Sequence, residues 1–174
     1  MTTSLYDLSV ATYLQTIGGS IVVLEKGAGF ASANGIDPDE LVQTRLSEDM
    51  WPLHNQIVSI VHQSVGAVKA LRSGTFSPPS GYPENMDYAG LQDFLREGYA
   101  ALEAETPDAI NALADNPVVF RFAAVEIPFT AVDFVLSFSL PNFYFHAATA
   151  YDLLRMRGVP LSKRHYLGRL RSCT

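Results

Sequence analysis

Apolar residues recur at the spacing of an α-helix in four stretches of this 174-residue chain, and each stretch ends at residues that stop a helix. Such a pattern predicts amphipathic helices that must bury their apolar faces against one another. The stretches run approximately over residues 4–33, 50–73, 87–105 and 130–158, separated by turn sequences such as Asn34-Gly35 and Ser73-Gly74. We therefore predict an all-α four-helix bundle that forms one domain over residues 1–174.

Shorter features interrupt this helical pattern. Residues 118–122 and 125–129 alternate like two strands, which predicts a small β-hairpin before the last helix. Gly18-Gly19 predicts either a kink in the first helix or a close crossing with a neighbour. Three prolines lie between Thr75 and Asn85, so this segment is predicted to be a long loop, a class of loop that often carries function.

The composition narrows the classes of partner. Hydrophobic residues make up 48% of the chain and charged residues 17%, which favours a large core or an apolar pocket for a hydrophobic small molecule. The net charge of −6 argues against binding to nucleic acid or to an anionic membrane. The sequence shows neither a signal peptide nor a long uninterrupted apolar run, and its lone Cys173 forms no internal disulfide. A cytoplasmic, reducing location is the expectation, with no catalytic role for Cys173.

The segment Leu140–Tyr151 is the most unusual part of the chain, because it places Pro141 and His146 in an otherwise apolar helix. Proline inside a helix removes a backbone hydrogen bond, and a buried imidazole needs partners for its ring nitrogens. His146 shares a helical stripe with Phe143, Ala150 and Leu153, so we expect it to face the bundle interior. It is either a structural histidine or a pocket acid or base.

Three motifs together carry a resemblance to a known family. They are Ser47-Glu48-Asp49-Met50-Trp51-Pro52-Leu53, the string Leu140-Pro-Asn-Phe-Tyr-Phe-His146 with Thr149-Ala-Tyr151, and the closing Leu154-Arg155-x-x-Gly158-Val159-Pro160-Leu161. From Ser4 to Arg164 the chain resembles an uncharacterised family of bacteria and fungi within the DinB/YfiT-like superfamily. The resemblance implies a four-helix bundle with crossover connections, commonly a homodimer. Elsewhere in the superfamily, metal-dependent hydrolases and thiol-dependent transferases bind a divalent metal through three histidines.

This chain departs from that metal pattern. The superfamily places one histidine on the second helix and a His-x-x-x-His pair on the last, but the residue four positions after His146 is Ala150. A three-ligand zinc or nickel centre would need His54, His62 and His146 to converge. Histidines bonded to their neighbours, with no metal and no organic cofactor, are the preferred interpretation.

The other candidate residues each have two interpretations. Asp49 is predicted to stabilise the first turn of the second helix, and alternatively to orient His54. Trp51 is interpreted as a core anchor or a pocket wall, with the core preferred, and Asn142 as a cap of the restarted helix or a partner of His146. Phe143, Tyr144 and Tyr151 are predicted to line either the pocket or the bundle seam.

Two functional classes remain, since the chain lacks a nucleophile elbow, a phosphate-binding loop and a Cys-x-x-Cys motif. In the first, an enzyme without organic cofactor acts on a hydrophobic small molecule, with His54, His62, His146 and Asp49 as catalytic candidates. Isomerisation, cyclisation, dehydration or hydrolysis would suit these groups. In the second, the protein is a non-catalytic ligand-binding or stress-related dimer. A metal-dependent hydrolase or transferase is the further alternative.

Overall fold

A computed structural model describes residues 3–172 of the chain, which are mainly helical. The helices are α1 (Leu5–Leu8), α2 (Val10–Ala33), α3 (Asp39–Val42), α4 (Leu53–Val61), α5 (Ala67–Ser73), α6 (Tyr88–Glu103), α7 (Pro107–Asn111), α8 (Ala131–Asp133), α9 (Leu140–Met156) and α10 (Lys163–Leu167). The strands are β1 (Thr75–Phe76), β2 (Pro117–Phe122) and β3 (Val125–Thr130). Cys173 lies outside the described residues.

Four long helical units form the bundle: α2, α4 with α5, α6, and α9. Helix α2 packs against α6 and α9, and α4 packs against the same two helices. Helices α2 and α4 therefore lie diagonally across the bundle although they are consecutive along the chain. The connections from α2 to α4 and from α6 to α9 both cross the bundle end, so the predicted four-helix bundle with crossover connections is confirmed.

Two π-helical segments interrupt the bundle helices that face each other. His62–Gly66 joins α4 to α5, and Phe134–Ser139 joins α8 to α9. The second segment ends directly before Pro141, whose missing N–H and fixed φ suit the first turn of α9. The predicted break in the last helix is thus a widened turn, a feature frequently found at functional sites.

A buried polar chain joins the two π-helical segments. The Ser139 hydroxyl donates to the Gln63 carbonyl oxygen over 2.5 Å, so it accepts the hydrogen bond that the Tyr13 hydroxyl makes to it over 2.6 Å. Ser139 and Tyr13 are fully buried. The backbone carbonyl that the widened turn frees is therefore satisfied by a side chain from the opposite helix.

The small sheet is larger than predicted. Strands β2 and β3 form the expected antiparallel hairpin, with Val119 opposite Pro128. Strand β1 adds to the other edge of β2 in parallel, pairing Phe76 with Phe120. Strand β1 is only two residues long and lies between Gly74 and Ser77, so the sequence shows no recognisable strand pattern there. The whole segment after α5 is therefore predicted as a loop.

The long helix α2 contains a glycine that allows the segment around Tyr166 to pack closely against it. Helix α2 continues through Gly18-Gly19, and a Cβ atom at Gly19 would overlap the backbone carbonyl of Tyr166. Of the two predictions for this pair, the close crossing is the one observed. The stretch Leu5–Ala33 has the length and apolarity to cross a membrane, with mean hydropathy 1.3, but half of its most apolar window is buried. Buried core helices of globular proteins meet the same criteria of length and hydropathy, so these criteria alone do not identify a membrane-spanning helix.

The start of the second bundle helix differs from the prediction. Helix α4 begins at Leu53 after Pro52, whose extended backbone forms the N-cap. Asp49 therefore lies in the preceding exposed segment, where its carboxylate accepts a hydrogen bond from the Ser47 hydroxyl over 2.7 Å. Its predicted place in the first helical turn is wrong, because Ser47 binds the carboxylate locally and Pro52 sets the helix start.

Candidate functional site

A cavity of about 340 Å³ lies between α4, α9 and the segment that precedes α6. This volume falls within the range of small-molecule pockets. Its walls carry aromatic, proline and uncharged polar side chains and no aspartate, glutamate, lysine or arginine. The lining residues are Trp51, Ser59, His62, Gln63, Phe76, Pro78, Pro79, Phe120, Phe138, Asn142, Phe145 and His146. We call it the aromatic cavity.

Aromatic rings form most of its wall. Phe76, Phe120 and Phe138 contact one another with ring centroids 4.8–6.4 Å apart, which joins the loop, the sheet and the π-helical segment. Trp51 stacks on His146 at 6.1 Å with the ring planes 15° apart. Half of the Trp51 side chain is exposed, so the preferred interpretation as a core anchor is wrong and the residue is a cavity wall.

Gln56 fixes the tautomer of His146. The Gln56 amide nitrogen donates to the Trp51 carbonyl over 2.9 Å, which turns its amide oxygen toward His146. That oxygen lies 2.7 Å from Nδ1 of His146 and can only accept, so Nδ1 carries the proton. Nε2 of His146 is left with a lone pair and makes no hydrogen bond within residues 3–172.

The ionisation state of His146 agrees with this geometry. Burial, with a smaller effect of the nearby His62 charge, lowers the pKa of His146 to about 4. The imidazole is therefore neutral at neutral pH and offers Nε2 as a base or a hydrogen-bond acceptor. His146 is 8% exposed, at the cavity wall.

His62 is bonded at both ring nitrogens. Nε2 donates to the Ser77 carbonyl over 2.8 Å, so Nδ1 accepts the hydrogen bond from the Tyr82 hydroxyl over 3.2 Å. Burial lowers the pKa of His62, and the bond to Ser77 opposes this shift. Both bonds go to the loop before α6, so the observed contacts of His62 hold that loop over the cavity.

Two amides complete the polar part of the wall. The Asn142 amide nitrogen donates to the Phe138 carbonyl over 2.7 Å, so Asn142 makes neither the helix cap nor the His146 contact predicted for it. Gln63 is 8% exposed, and its amide oxygen is buried without a hydrogen-bond partner among the described residues. An unsatisfied buried amide costs about 1–3 kcal/mol, which a bound ligand can recover.

The three histidines do not converge on one point of the structure. His54 lines a separate cavity with Tyr82 and Glu84, and its Nε2 is buried without a partner in the described part of the chain. The two cavities have Pro79 in common. Across residues 3–172, no group of three or more His, Cys, Asp or Glu side chains is placed to hold a metal ion.

The remaining predicted site residues lie away from the aromatic cavity. Phe143 is fully buried and packs edge-on against Tyr13 at 5.1 Å, so it belongs to the bundle seam. Tyr151 contacts Tyr166 at 6.2 Å, and Tyr144 is 40% exposed outside the cavity. Asp49, on the exposed segment, does not line the cavity either. Their roles in function remain predictions.

Sequence reasoning missed the two glutamines and the loop aromatics. Gln56 and Gln63 occur seven positions apart on the apolar face of the second helix, which is a recognisable signal for a polar pocket wall. Phe76 and Phe120 gave no comparable signal, whereas Phe145 lies in the Leu140–His146 motif but was not predicted as a site residue. The first two come from strands distant in sequence, and Phe145 is 55% exposed at the cavity rim.

Comparisons with known proteins place the chain within its fold and family. No curated protein matches it. The structure is similar to the crystal structure of a DinB family member protein from Shewanella denitrificans, with a TM-score of 0.81, 24% identity, and coverage of 98% of this chain and 95% of that chain. At this identity the similarity establishes the DinB-like fold alone. Residues 5–167 match the family described as Domain of unknown function (DUF1993), so the chain is a member of that family.

Proposed function

We propose that the protein binds a flat, hydrophobic small molecule in the aromatic cavity, and that Nε2 of His146 removes a proton from it. The observation that carries the proposal is the Trp51–Gln56–His146 hydrogen-bond chain, which fixes Nε2 as the unprotonated nitrogen. The uncharged aromatic lining supports a hydrophobic ligand. We propose an isomerisation, cyclisation or dehydration that begins with proton removal from the ligand, or a hydrolysis in which His146 takes the proton from the attacking water.

The lowered pKa restricts His146 to one direction of proton transfer. Because burial lowers the pKa of His146 to about 4, the neutral imidazole is the resting form at neutral pH. It therefore starts a reaction as a base, and can act as an acid only after it has taken up the substrate proton. The Gln63 and Asn142 amides at the same wall would orient a hydroxyl or carbonyl group.

The side chains around the cavity do not suit the three-histidine metal centre that the DinB-like fold implies. Both ring nitrogens of His62 are engaged with Ser77 and Tyr82, and the residue one helical turn after His146 is Ala150. His54 lines the neighbouring cavity. We therefore propose a reaction that uses neither an organic cofactor nor a metal. The cytoplasmic location expected from the sequence is part of the same proposal.

One observation favours the second candidate, a non-catalytic dimeric binding protein. Tyr144 and Phe145 are consecutive aromatic residues of α9 that are 40% and 55% exposed. Exposed aromatic residues are enriched where a partner subunit packs. In that case the cavity binds its ligand, a homodimer forms, and His146 accepts a hydrogen bond without moving a proton.

Trp51 is the only tryptophan in the chain and stacks on His146, so its fluorescence reports ligand binding at the cavity. We would titrate the protein with 2-naphthol and with 2-methoxynaphthalene, which has the same rings but no donor. We expect 2-naphthol to bind about tenfold more tightly, because its hydroxyl donates to Nε2. His146→Leu should remove that preference. Equal binding of the two ligands to the unmodified protein would contradict the proposed acceptor.

Proton removal is tested with 2-tetralone in deuterated buffer, since its enol has the shape of 2-naphthol. NMR measures the exchange of the protons next to the carbonyl group. We expect exchange above the buffer rate with the unmodified protein, and a loss of that acceleration in His146→Asn, which keeps a donor for Gln56. Binding of 2-naphthol without accelerated exchange would favour the non-catalytic candidate.

A further inference from the structure

A second and larger cavity, about 530 Å³ in volume, lies between α2 and the segment that follows α9. Its floor is apolar and is formed by Ala11, Leu14, Gly18 and Val22 of α2 together with Tyr99 of α6. Val22 is 37% exposed. This groove has no lining residue in common with the aromatic cavity.

The opposite side of the groove carries positive charge. Arg164, Arg169 and Arg171 line it, on a chain whose net charge is −6. Arg171 donates to the Asp7 carbonyl and the Thr12 hydroxyl, each over 3.3 Å. Within residues 3–172, Arg164 and Arg169 form no ion pair.

His165 adds a directed donor to the same side. Its Nδ1 accepts a hydrogen bond from the Ser162 backbone N–H over 2.9 Å, in the capping box of α10. Nδ1 is therefore unprotonated, and the neutral ring carries its proton on Nε2. The groove thus combines guanidinium and imidazole donors with an apolar floor.

Close backbone packing holds the charged segment in place. A Cβ atom at Gly168 would overlap the Gln15 carbonyl, and Gly168 has a φ of +62° that favours glycine. The Gln15 amide donates to the Leu167 carbonyl over 3.1 Å. The cations are therefore attached to a backbone segment that is fixed against α2.

We propose that this groove binds the anion of a medium-chain fatty acid, with its carboxylate at Arg164 and Arg169 and its alkyl chain along the floor from Leu14 to Val22. Guanidinium groups bind carboxylates with paired hydrogen bonds, and the apolar floor gains from covering by methylene groups. This site is independent of the function proposed for the aromatic cavity, which contains no charged side chain.

The test compares dodecanoate with dodecan-1-ol, which has the same chain without the charge, by isothermal titration calorimetry. We expect dodecanoate to bind at least about tenfold more tightly. The double variant Arg164→Ala/Arg169→Ala should lose that advantage. Arg72→Ala is the matched charge control, because Arg72 pairs with Glu105 away from the groove, and it should bind dodecanoate normally.

Variants at two glycines of α2 separate the effect of the groove's shape from the effect of its charge. Gly29→Ala is the control, because Gly29 lies on the same helix outside the groove lining and its added Cβ meets nothing within 4 Å, so this variant should bind dodecanoate normally. The longer side chain of Gly18→Leu extends into the groove and should weaken binding about tenfold or more. Circular dichroism at the same temperature checks that both variants are folded.

Three outcomes would overturn the proposal. Equal affinity for dodecanoate and dodecan-1-ol would remove the role of the cations. Displacement of dodecanoate by 2-naphthol would place it in the aromatic cavity. Sedimentation of the protein with phosphatidylglycerol vesicles, without binding of dissolved dodecanoate, would identify a membrane headgroup as the ligand instead.

Discussion

His146 lies between Gln56, which accepts from its Nδ1, and Trp51, whose indole ring stacks against its imidazole. The first contact sets the tautomer and the second excludes water from one face. The depressed pKa of His146 follows mainly from this burial. Single residues therefore decide that the cavity presents a base instead of a cation.

The emission of Trp51 should report the protonation of His146, because a protonated imidazole quenches a stacked indole. We expect the fluorescence of the folded protein to fall with a midpoint near pH 4. Gln56→Glu places a carboxylate at Nδ1, which favours the charged ring and should raise the midpoint by more than one pH unit. A midpoint that stays near 4 in this variant would contradict the assigned contact.

The same shift makes stability depend on pH. The pKa of His146 is lowered from 6.5 to about 4 in the folded protein, so the unfolded chain binds the proton more readily. The free energy of unfolding should fall as pH decreases from about 6.5 to about 4, by about 3 kcal/mol at most. His62, whose pKa burial also lowers, acts in the same direction. Urea unfolding of His146→Asn should show a smaller slope over this range; an unchanged slope would exclude the His146 contribution.

At the scale of secondary-structure elements, the two π-helical segments depend on Ser139. Its hydroxyl donates to the Gln63 carbonyl and accepts from Tyr13. Ser139→Ala leaves two buried groups unsatisfied and should lower the free energy of unfolding by about 2–4 kcal/mol. Tyr13→Phe removes only the second bond and should cost about half as much. Urea titrations measure both, and an equal cost would mean that the Gln63 bond contributes nothing.

The loop over the cavity depends on a contact with another element. The Tyr82 hydroxyl donates to Nδ1 of His62, which in turn donates to the Ser77 carbonyl. Tyr82→Phe should leave overall stability within about 1 kcal/mol, because Tyr82 is partly exposed, but should speed amide hydrogen exchange in residues 77–84. Unchanged exchange in that segment would show that the loop is held by its prolines instead.

At the scale of the whole molecule, the close packing of three bundle helices depends on Gly27. A Cβ atom there would overlap the Tyr88 hydroxyl of α6 and approach Leu154 of α9 to 3.2 Å. The buried Tyr88 hydroxyl donates to the Leu24 carbonyl over 2.9 Å, so it has little room to move.

Two alanine variants on α2 test this packing. Gly27→Ala should destabilise the bundle by about 1–3 kcal/mol, as overpacked cores do. Gly29→Ala meets nothing within 4 Å and should stabilise the helix by about 0.5–1 kcal/mol. Thermal unfolding of the two variants should therefore shift in opposite directions. A shift in the same direction would contradict the packing assigned to Gly27.

Much of the fold could be predicted from local patterns. Helix periodicity and turn sequences such as Ser73-Gly74 predicted the bundle helices and their ends, because these depend on residues within a few positions. The helix face that buries His146 was also readable, since Phe143, Ala150 and Leu153 share it and are buried. The start of α4 was placed too early because Ser47 and Asp49 imitate a helix start but bond to each other in the exposed segment.

The amino-acid sequence by itself determined which segments are helical, where they stop and which face of α9 is apolar, because backbone propensity and periodicity act locally. Only the tertiary structure decided that Gln56 binds His146, that His62 bonds the loop before α6 while His54 lines a separate cavity, and that phenylalanines from β1 and β2 close the aromatic cavity. These contacts join residues 15 to 90 positions apart in the chain. Their geometry follows from the crossover packing of the helices, which no local pattern specifies.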